Sequence, residues 1–446
     1  MEAKQTKEEK KTVEEKQEEE YKPKWARGKK INEMEFCKDF LALWPLLYVD
    51  GQFYSHKGRE EEGKVRKCVF DHLSSYVSTG LGKKVTSLMD ALRMRARVDT
   101  FEISETKIHC ANGYYDLNRM EFVPEMEFCR FRLPVDFNPL APEPVLWKRF
   151  LSELLEYEDI ETLQEYMGYC LLPVNYAQKM LLILGKGGEG KSRIGVVMHH
   201  LFGSCMCNGS LSKVEHNQFA RADLQHRLVM VDDDLRLEAL NNTNYIKSII
   251  TAEQPMDLER KGIQSYQGLI RCRFLAFGNG NLRSLHDRSM GFFRRQIILT
   301  TKDRPADRVD DPYLAQRMRD ELEGILLWCL VGTRRLLDNK MRFTLSLQTR
   351  RNILEAISEG NNTLDFMKSK GYIRFDREGE ITTRSLYRIY RDWCEDNVLV
   401  PLPARSFTAC LVQSAHQFGI EYSNRINGGN DRLVRGFRGV RSGYRE

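Results

Sequence analysis

The chain has 446 residues, of which 41% are hydrophobic and 30% are charged, and its formal net charge is +6. This composition excludes a chain too polar to form a core, and apolar runs such as Phe40–Val49 are too short to span a bilayer. The 11 cysteines are scattered, which is typical of a reducing compartment. We therefore expect an intracellular protein with no membrane partner.

The N-terminal third predicts a charged tail followed by a small domain. Met1–Glu35 holds ten Lys or Arg and ten Glu, so we expect a disordered or loosely helical tail over residues 1–35. Phe40–Trp44 and Val69–Val77 have the spacing of amphipathic helices, and Ala111-Asn112-Gly113 predicts a hairpin turn. Four prolines between Pro134 and Pro144 indicate a linker. We assign 36–145 to an N-terminal, mostly helical domain.

Residues 146–345 alternate helical and strand patterns. Leu151–Leu172 and Glu321–Leu337 predict long helices. Continuous apolar runs at Met180–Leu184, Leu228–Val231 and Arg273–Phe277 predict buried strands. Buried strands between helices indicate a parallel sheet, and hence an α/β fold.

Residues 361–446 predict a C-terminal winged helix. Helical patterns at Thr363–Lys370, Thr383–Asn397 and Arg405–Gln417 precede two strand-like segments joined by Asn427–Asn430. Residues 405–446 hold seven Arg against three acidic residues, so most of the net charge lies here. The predicted DNA contacts are Arg405, Arg432, Arg435 and Arg438. An ordinary solvated surface is the alternative.

The strongest motif follows the first buried strand. It consists of Gly185, Lys186, Gly187, Gly188, Glu189, Gly190, Lys191 and Ser192. This is the pattern of a phosphate-binding loop, in which Lys191 reaches the phosphates and the Ser192 hydroxyl binds Mg²⁺. A strand before and a helix after it favour this interpretation over a plain glycine-rich turn. The predicted cofactors are ATP and Mg²⁺.

Polar residues follow the next two buried strands. Asp232, Asp233 and Asp234 come at the end of one, and we assign Asp232 to the metal and Asp233 to the attacking water. Asn279 ends the other and is a candidate sensor of the γ-phosphate. An acidic turn and an ordinary turn residue are the respective alternatives.

Two arginines precede the predicted strand Gln296–Leu299. Arg294 or Arg295 could serve the ATP of a neighbouring subunit as an arginine finger. An ordinary ion pair is the alternative.

These motifs together resemble the superfamily 3 helicases within the AAA+ ATPases, and more closely the phage and plasmid primase-helicase family with its poxvirus relatives. The resemblance covers about residues 100–446 and includes Tyr166–Leu171, Leu285–Arg295 and Glu321–Trp328. It implies a DNA-contacting pore hairpin at Asp257–Tyr266. The residues implied to contact DNA there are Arg260, Lys261 and Tyr266.

The resemblance implies a homo-hexameric, ATP- and Mg²⁺-dependent helicase that translocates on single-stranded and unwinds double-stranded DNA in the cytoplasm of a bacterial host. Two departures stand out: Gly278 replaces the usual Thr or Ser before the sensor, and no clustered carboxylates suggest a primase site. We therefore expect a helicase without primase activity, acting with a separate primase or polymerase. The alternative is an ATP-switched replication initiator or DNA-binding regulator that does not unwind DNA.

Overall fold

A computed structural model describes most of the chain beyond the first 21 residues. The described residues are 22–27, 30–99, 101–235, 243–260, 262–279, 290–305, 309, 311–360, 362–397, 399, 401–427 and 433–443. No helix among them is both long enough and apolar enough to cross a membrane.

The N-terminal unit combines three helices with a small antiparallel sheet. The helices are α1 (Glu33–Leu43), α2 (Glu62–Ser74) and α3 (Leu81–Arg95), and the strands, in sheet order, are β1 (Leu47–Val49), β2 (Gln52–Ser55) and β3 (Gly58–Glu60). Trp25 is buried against Phe36 in the core of these helices. The predicted tail over residues 1–35 is therefore wrong for the described residues from 22 onward, because the Trp25 side chain is part of a hydrophobic core. Residues 1–21 lie outside the described residues.

A second antiparallel sheet follows, formed by β4 (Lys107–Cys110), β5 (Gly113–Asp116) and β6 (Glu121–Val123). The predicted hairpin is confirmed, with Cys110 paired to Gly113 across the turn. This region contains six strands, so the prediction of a mostly helical domain is incomplete. The predicted linker is also wrong, since Asn138 Nδ2 donates a hydrogen bond to Glu323 Oε2 at 2.9 Å and holds this segment on the next unit.

The predicted helix over Leu151–Leu172 is two helices, α4 (Val145–Leu154) and α5 (Tyr157–Cys170). Leu155 between them has extended backbone angles, which ends the first helix. The Glu321 carboxylate accepts hydrogen bonds from the backbone N–H groups of Leu146 and Trp147, and so satisfies donors at the start of α4.

The central unit is built on a parallel sheet, as predicted, and this sheet has five strands. Its strands are β7 (Met180–Gly185), β8 (Met206–Asn208), β9 (Val229–Leu235), β12 (Arg273–Asn279) and β13 (Gln296–Thr300). Their order across the sheet is β13-β7-β12-β9-β8. The strand β12 therefore lies between the strand that precedes the glycine-rich loop and the strand that carries the acids.

Helices cover both faces of this sheet. They are α6 (Ser192–Phe202), α7 (Leu211–His216), α8 (Gln218–Asp223), α9 (Asn244–Thr251), α10 (Met290–Phe293), α11 (Leu314–Arg319), α12 (Leu322–Asp338) and α13 (Leu347–Gly360). The strands alternate between two hydrophobic clusters, so that Val229 and Val231 pack with α6 while Met230 faces the opposite side. A hairpin of β10 (Met256–Arg260) and β11 (Ile263–Gly268) stands apart from the sheet.

The helix α13 extends the central unit beyond the predicted end at residue 345. Asn352 Nδ2 on this helix donates to the Ile298 carbonyl of β13 at 2.9 Å, and Ala356 is buried in the cluster on that face of the sheet. The unit therefore continues through α13, which had no place in the predicted division.

The C-terminal unit has the predicted three helices and hairpin. The helices are α14 (Asn362–Lys368), α15 (Thr383–Asp396) and α16 (Ala404–Ser414), and the strands are β14 (Ile373–Thr382), β15 (Glu421–Asn427) and β16 (Leu433–Ser442), in the order β14-β16-β15. The strand β14 was not predicted. It pairs with β16 and forms the third strand of this sheet.

Candidate functional site

The glycine-rich loop, Gly185–Ser192, connects the strand β7 to the helix α6. Gly187, Gly188 and Gly190 have φ angles of 108°, 84° and 102°, which side-chain-bearing residues rarely adopt. Glycine at these three positions therefore allows the loop to curl over the start of α6. In the first turn of that 11-residue helix, the backbone N–H groups of Arg193 and Ile194 donate to the carbonyls of Gly190 and Lys191, which ties the helix to the loop.

Lys191 is nearly fully buried inside this loop. Its Nζ lies 2.8 Å from Glu189 Oε2, and Glu189 Oε1 accepts a hydrogen bond from the Gly187 backbone at 2.8 Å. Burial raises the pKa of Glu189, but the hydrogen bonds from Lys191 and from loop amides lower it by more, so that the pKa lies below its usual range. A side chain at Gly185 would collide with the Lys191 ammonium, since a Cβ there would lie 2.8 Å from Nζ.

A cleft of about 390 Å³ opens beside the loop. It is lined by Gly188, Gly190, Lys191, Ser192, Arg193, Asp233, Phe277, Asn279, Arg304, Asp311, Pro312 and Leu314. The pairing of β12 with β7 sets Asn279 directly beside Gly185, so the predicted sensor lies next to the loop. The structure thus brings together Lys191, Ser192, Asp233 and Asn279.

Asp232 and Asp233 point to opposite faces of the sheet. Asp233 follows Val229 and Val231 on the face that α6 covers, because side chains alternate along a strand. The Asp232 carboxylate instead accepts a hydrogen bond from the Leu211 backbone N–H at 2.7 Å, away from the cleft, and burial raises its pKa. The geometry therefore contradicts the assignment of Asp232 to the metal, because Asp233 and not Asp232 lines the cleft.

Arg304 is a cleft residue that the sequence did not point out. Its Nη1 donates to the Gly188 carbonyl at 3.3 Å, in a segment that follows β13. The neighbouring Asp303 pairs with the exposed Lys186 at 2.7 Å, so Lys186 is turned to the surface and does not line the cleft. An arginine four residues past the end of an edge strand carries no distinctive motif, and the sheet order was needed to place it here.

Arg294 and Arg295 lie at the opposite edge of the sheet. They precede β13, whose first residue Gln296 pairs with Met180, whereas the loop follows the far end of β7. Arg295 Nη1 donates to the Gly291 carbonyl at 2.5 Å, and the Arg294 carbonyl accepts from Lys179 Nζ. Within one chain, neither arginine reaches the cleft.

The hairpin β10–β11 forms at the predicted position, but two of its three predicted DNA contacts bind within the chain. Arg260 donates to the Asp50 carbonyl and to Gln225 Oε1, and the Tyr266 hydroxyl donates to the same Gln225 oxygen at 2.8 Å. These two side chains anchor the hairpin to the body of the protein, so they are not the free hairpin contacts that were predicted from the sequence. Lys261 lies outside the described residues.

The predicted contacts of the C-terminal unit have different surroundings. Arg405 is exposed at the start of α16, and Arg435 is exposed on β16. Arg438 instead pairs with Glu380 on the neighbouring strand β14 at 3.0 Å, which weakens the case for a phosphate contact there. Arg432 lies outside the described residues.

The residues of the cleft fit a nucleoside triphosphate with Mg²⁺. Mg²⁺ needs few protein ligands, and here the Ser192 hydroxyl and the Asp233 carboxylate face the same space. The Thr301 hydroxyl is buried against Gly185 and has no hydrogen-bond partner among the described residues. A polar group beside the loop is therefore available to a ligand.

Two family models match separate parts of the chain. One, described as D5 N terminal like, matches residues 8–156, and the other, described as a family of unknown function (DUF5906), matches residues 183–295. Both domains are found in phage and plasmid primase-helicase proteins, and the matches point to a replication protein of that kind. No curated protein matches the chain.

Solved structures resemble the chain at the level of the fold. The A form apo structure of the NrS-1 C terminal region has a TM-score of 0.50 at 13% identity, with 87% of each chain covered. Another apo structure of the NrS-1 C terminal region has a TM-score of 0.49 at 12% identity and covers 91% of this chain and 99% of that chain. At these identities the likeness concerns the fold alone.

Proposed function

We propose that the chain is an ATP-hydrolysing DNA helicase of the superfamily 3, AAA+ type that acts in phage or plasmid replication. The observation that carries the proposal is the convergence of Lys191, Ser192, Asp233 and Asn279 on one cleft beside a phosphate-binding loop. Both family matches support a role in replication.

The cleft residues divide the work of phosphoryl transfer between them. Lys191 leaves Glu189 and binds the β- and γ-phosphate oxygens, where its charge stabilises the transition state. Ser192 and Asp233 hold Mg²⁺, which neutralises phosphate charge when bound. Asn279, on the strand between the loop and the acids, is placed to orient the attacking water.

Arg304 and the pair Arg294 and Arg295 have separate roles in this proposal. Arg304 contacts the loop of its own chain and would bind the phosphates in cis. Arg294 and Arg295 lie at the far edge of the sheet, so only an adjacent subunit could bring one of them to the cleft. A ring of six subunits around DNA would place each pair at its neighbour's site.

Strand displacement on forked DNA with ATP and Mg²⁺ tests the proposal. The wild-type protein should release the displaced strand, and Lys191→Ala should not. The alternative, an ATP-switched initiator, predicts ATP-dependent DNA binding without displacement. That result would reject the helicase while keeping the nucleotide site.

A further inference from the structure

A second concave site of about 390 Å³ lies where the N-terminal unit meets the central unit. The N-terminal unit contributes Gln52 and Arg59 from its small sheet. The central unit contributes Lys213, Arg227 and Arg260, together with the segment Asn208–Ser210. We call this site the basic pocket.

Four arginines surround the buried His226 at the back of the basic pocket. They are Arg59, Arg130, Arg227 and Arg260, and their charges, after burial itself, lower the pKa of His226 to about 2. Arg260 can only donate, so His226 Nε2 accepts its hydrogen bond at 2.6 Å and Nδ1–H donates to the Tyr54 hydroxyl at 2.9 Å. His226 is therefore neutral at physiological pH, and the arginines supply the positive charge.

Few carboxylates balance these arginines. Asp50 binds two of the arginines: its carboxylate forms an ion pair with Arg130, and its backbone carbonyl accepts a hydrogen bond from Arg260. Arg227 donates to the carbonyls of Ser204 and Met206, which carry no net charge. Asp223 is the acidic residue that lines the pocket.

Arg59 is the most informative of these residues. It is half-buried, and its guanidinium makes no hydrogen bond or ion pair with the described residues. Burial and the nearby Arg227 lower its pKa, which reflects a charge held in an unfavourable place. Leaving a half-buried guanidinium without a partner costs free energy unless a ligand provides the missing acceptors.

We propose that the basic pocket binds a phosphate group of a nucleic acid strand. Arginine side chains offer forked donors that match phosphate oxygens, and a pocket of this volume admits a nucleotide unit. Arg260 ends the strand β10 next to the turn, so the pocket adjoins the turn end of the hairpin expected to contact DNA. This site is separate from the nucleotide cleft and does not depend on ATP hydrolysis.

The test uses the full chain carrying Lys191→Ala, so that phosphate bound at the glycine-rich loop does not contribute. Binding of a fluorescent single-stranded oligonucleotide is measured by anisotropy over a range of salt concentrations. Adding Arg59→Ala should weaken binding about fivefold to tenfold at low salt and reduce the salt slope by about one. Arg119→Ala, an exposed arginine in the turn between β5 and β6, is the matched control and should change neither value.

A second arm separates the two sources of phosphate. Thermal unfolding of the same proteins is followed with and without inorganic phosphate. A stabilisation that requires Arg59, with DNA binding unaffected, would identify a site for a free phosphate compound rather than for the DNA backbone. If Arg59→Ala matches Arg119→Ala in both arms, the basic pocket is not a phosphate site. Arg59→Lys, which keeps the charge but loses the fork, replaces Arg59→Ala if that variant does not fold.

Discussion

Glu189 Oε2 and Lys191 Nζ are 2.8 Å apart within the glycine-rich loop, and both side chains are almost completely buried. A phosphate chain that enters the cleft must take the lysine from this glutamate. The pair therefore holds Lys191 in a defined place before nucleotide arrives, and it also opposes binding, because the released carboxylate lies close to the phosphates.

Replacing Glu189 by glutamine should therefore tighten nucleotide binding. Glutamine keeps an acceptor for the Gly187 N–H but removes the charge that competes for Lys191. We expect the Kd for ADP, measured by titration calorimetry, to fall about fivefold, which corresponds to about 1 kcal/mol. An unchanged or higher Kd would mean that Glu189 organises the loop for binding and does not compete with it.

Substitutions of the neighbouring Asp232 and Asp233 should affect ATP hydrolysis differently. Asp233→Asn should abolish Mg²⁺-dependent ATP hydrolysis while leaving the free energy of unfolding nearly unchanged. Asp232→Asn should keep hydrolysis, because an amide oxygen still accepts from the Leu211 N–H and the buried charge is removed. Rates and denaturation midpoints of both variants check this. Loss of hydrolysis in Asp232→Asn with retention in Asp233→Asn would restore the assignment made from sequence.

Mixing experiments should distinguish the arginines that act in cis from those that act in trans. A double variant, Arg294→Ala with Arg295→Ala, keeps its own loop, and Lys191→Ala keeps its own arginines. Mixed oligomers of the two should regain ATPase activity, since some sites combine an intact loop with an intact neighbour.

Arg304→Ala mixed with Lys191→Ala should not regain activity, because Arg304 contacts the loop of its own chain. Rescue in this second mixture would place Arg304 in a neighbour's site. Failure of the first mixture would remove the support for a finger at Arg294 or Arg295.

His226 should make the protein less stable at mildly acidic pH. Its pKa is about 2 in the folded protein and about 6.5 when unfolded, so below pH 6.5 the unfolded chain binds a proton that the folded chain does not. Stability should therefore fall by about 2 kcal/mol between pH 7 and pH 5 from this group. Urea unfolding at both pH values checks this. His226→Gln should have a flatter pH dependence, and an equal slope in both proteins would show that another group is responsible.

The sequence predicted the local elements better than the contacts between them. The three buried strands, the glycine-rich loop and Asn279 follow from short patterns whose meaning depends on neighbouring residues. Asp232 was assigned to the metal and Asp233 to the water without regard to the faces of the sheet, because Leu228–Val231 is apolar throughout and its alternation is not visible in the sequence. Counting outward from Val229 and Val231, which face α6, places Asp233 on the side of the cleft.

Contacts between distant parts of the chain could not be predicted from the sequence. Arg260 was expected at DNA, yet it docks on the Asp50 carbonyl, 210 residues earlier. The site of this contact is a tight turn between β1 and β2, in which Asp50 and Gly51 both have positive φ. A Cβ at Gly51 would lie 2.6 Å from Arg260 Nη1, so the absence of a side chain at Gly51 leaves room for the arginine. The sequence does not show this requirement, because the two residues meet only in the folded chain.

ATP hydrolysis by Lys191→Ala and Lys186→Ala, each compared with the wild type in the presence of single-stranded DNA, tests the central claim most directly. Both lysines belong to the glycine-rich loop, but Lys191 is buried at the cleft and Lys186 pairs with Asp303 at the surface. We predict DNA-stimulated hydrolysis in the wild type and in Lys186→Ala, and a loss of at least about a hundredfold in Lys191→Ala, equivalent to about 3 kcal/mol of transition-state stabilisation. Equal rates in the two variants, or no hydrolysis by the wild type, would contradict the account.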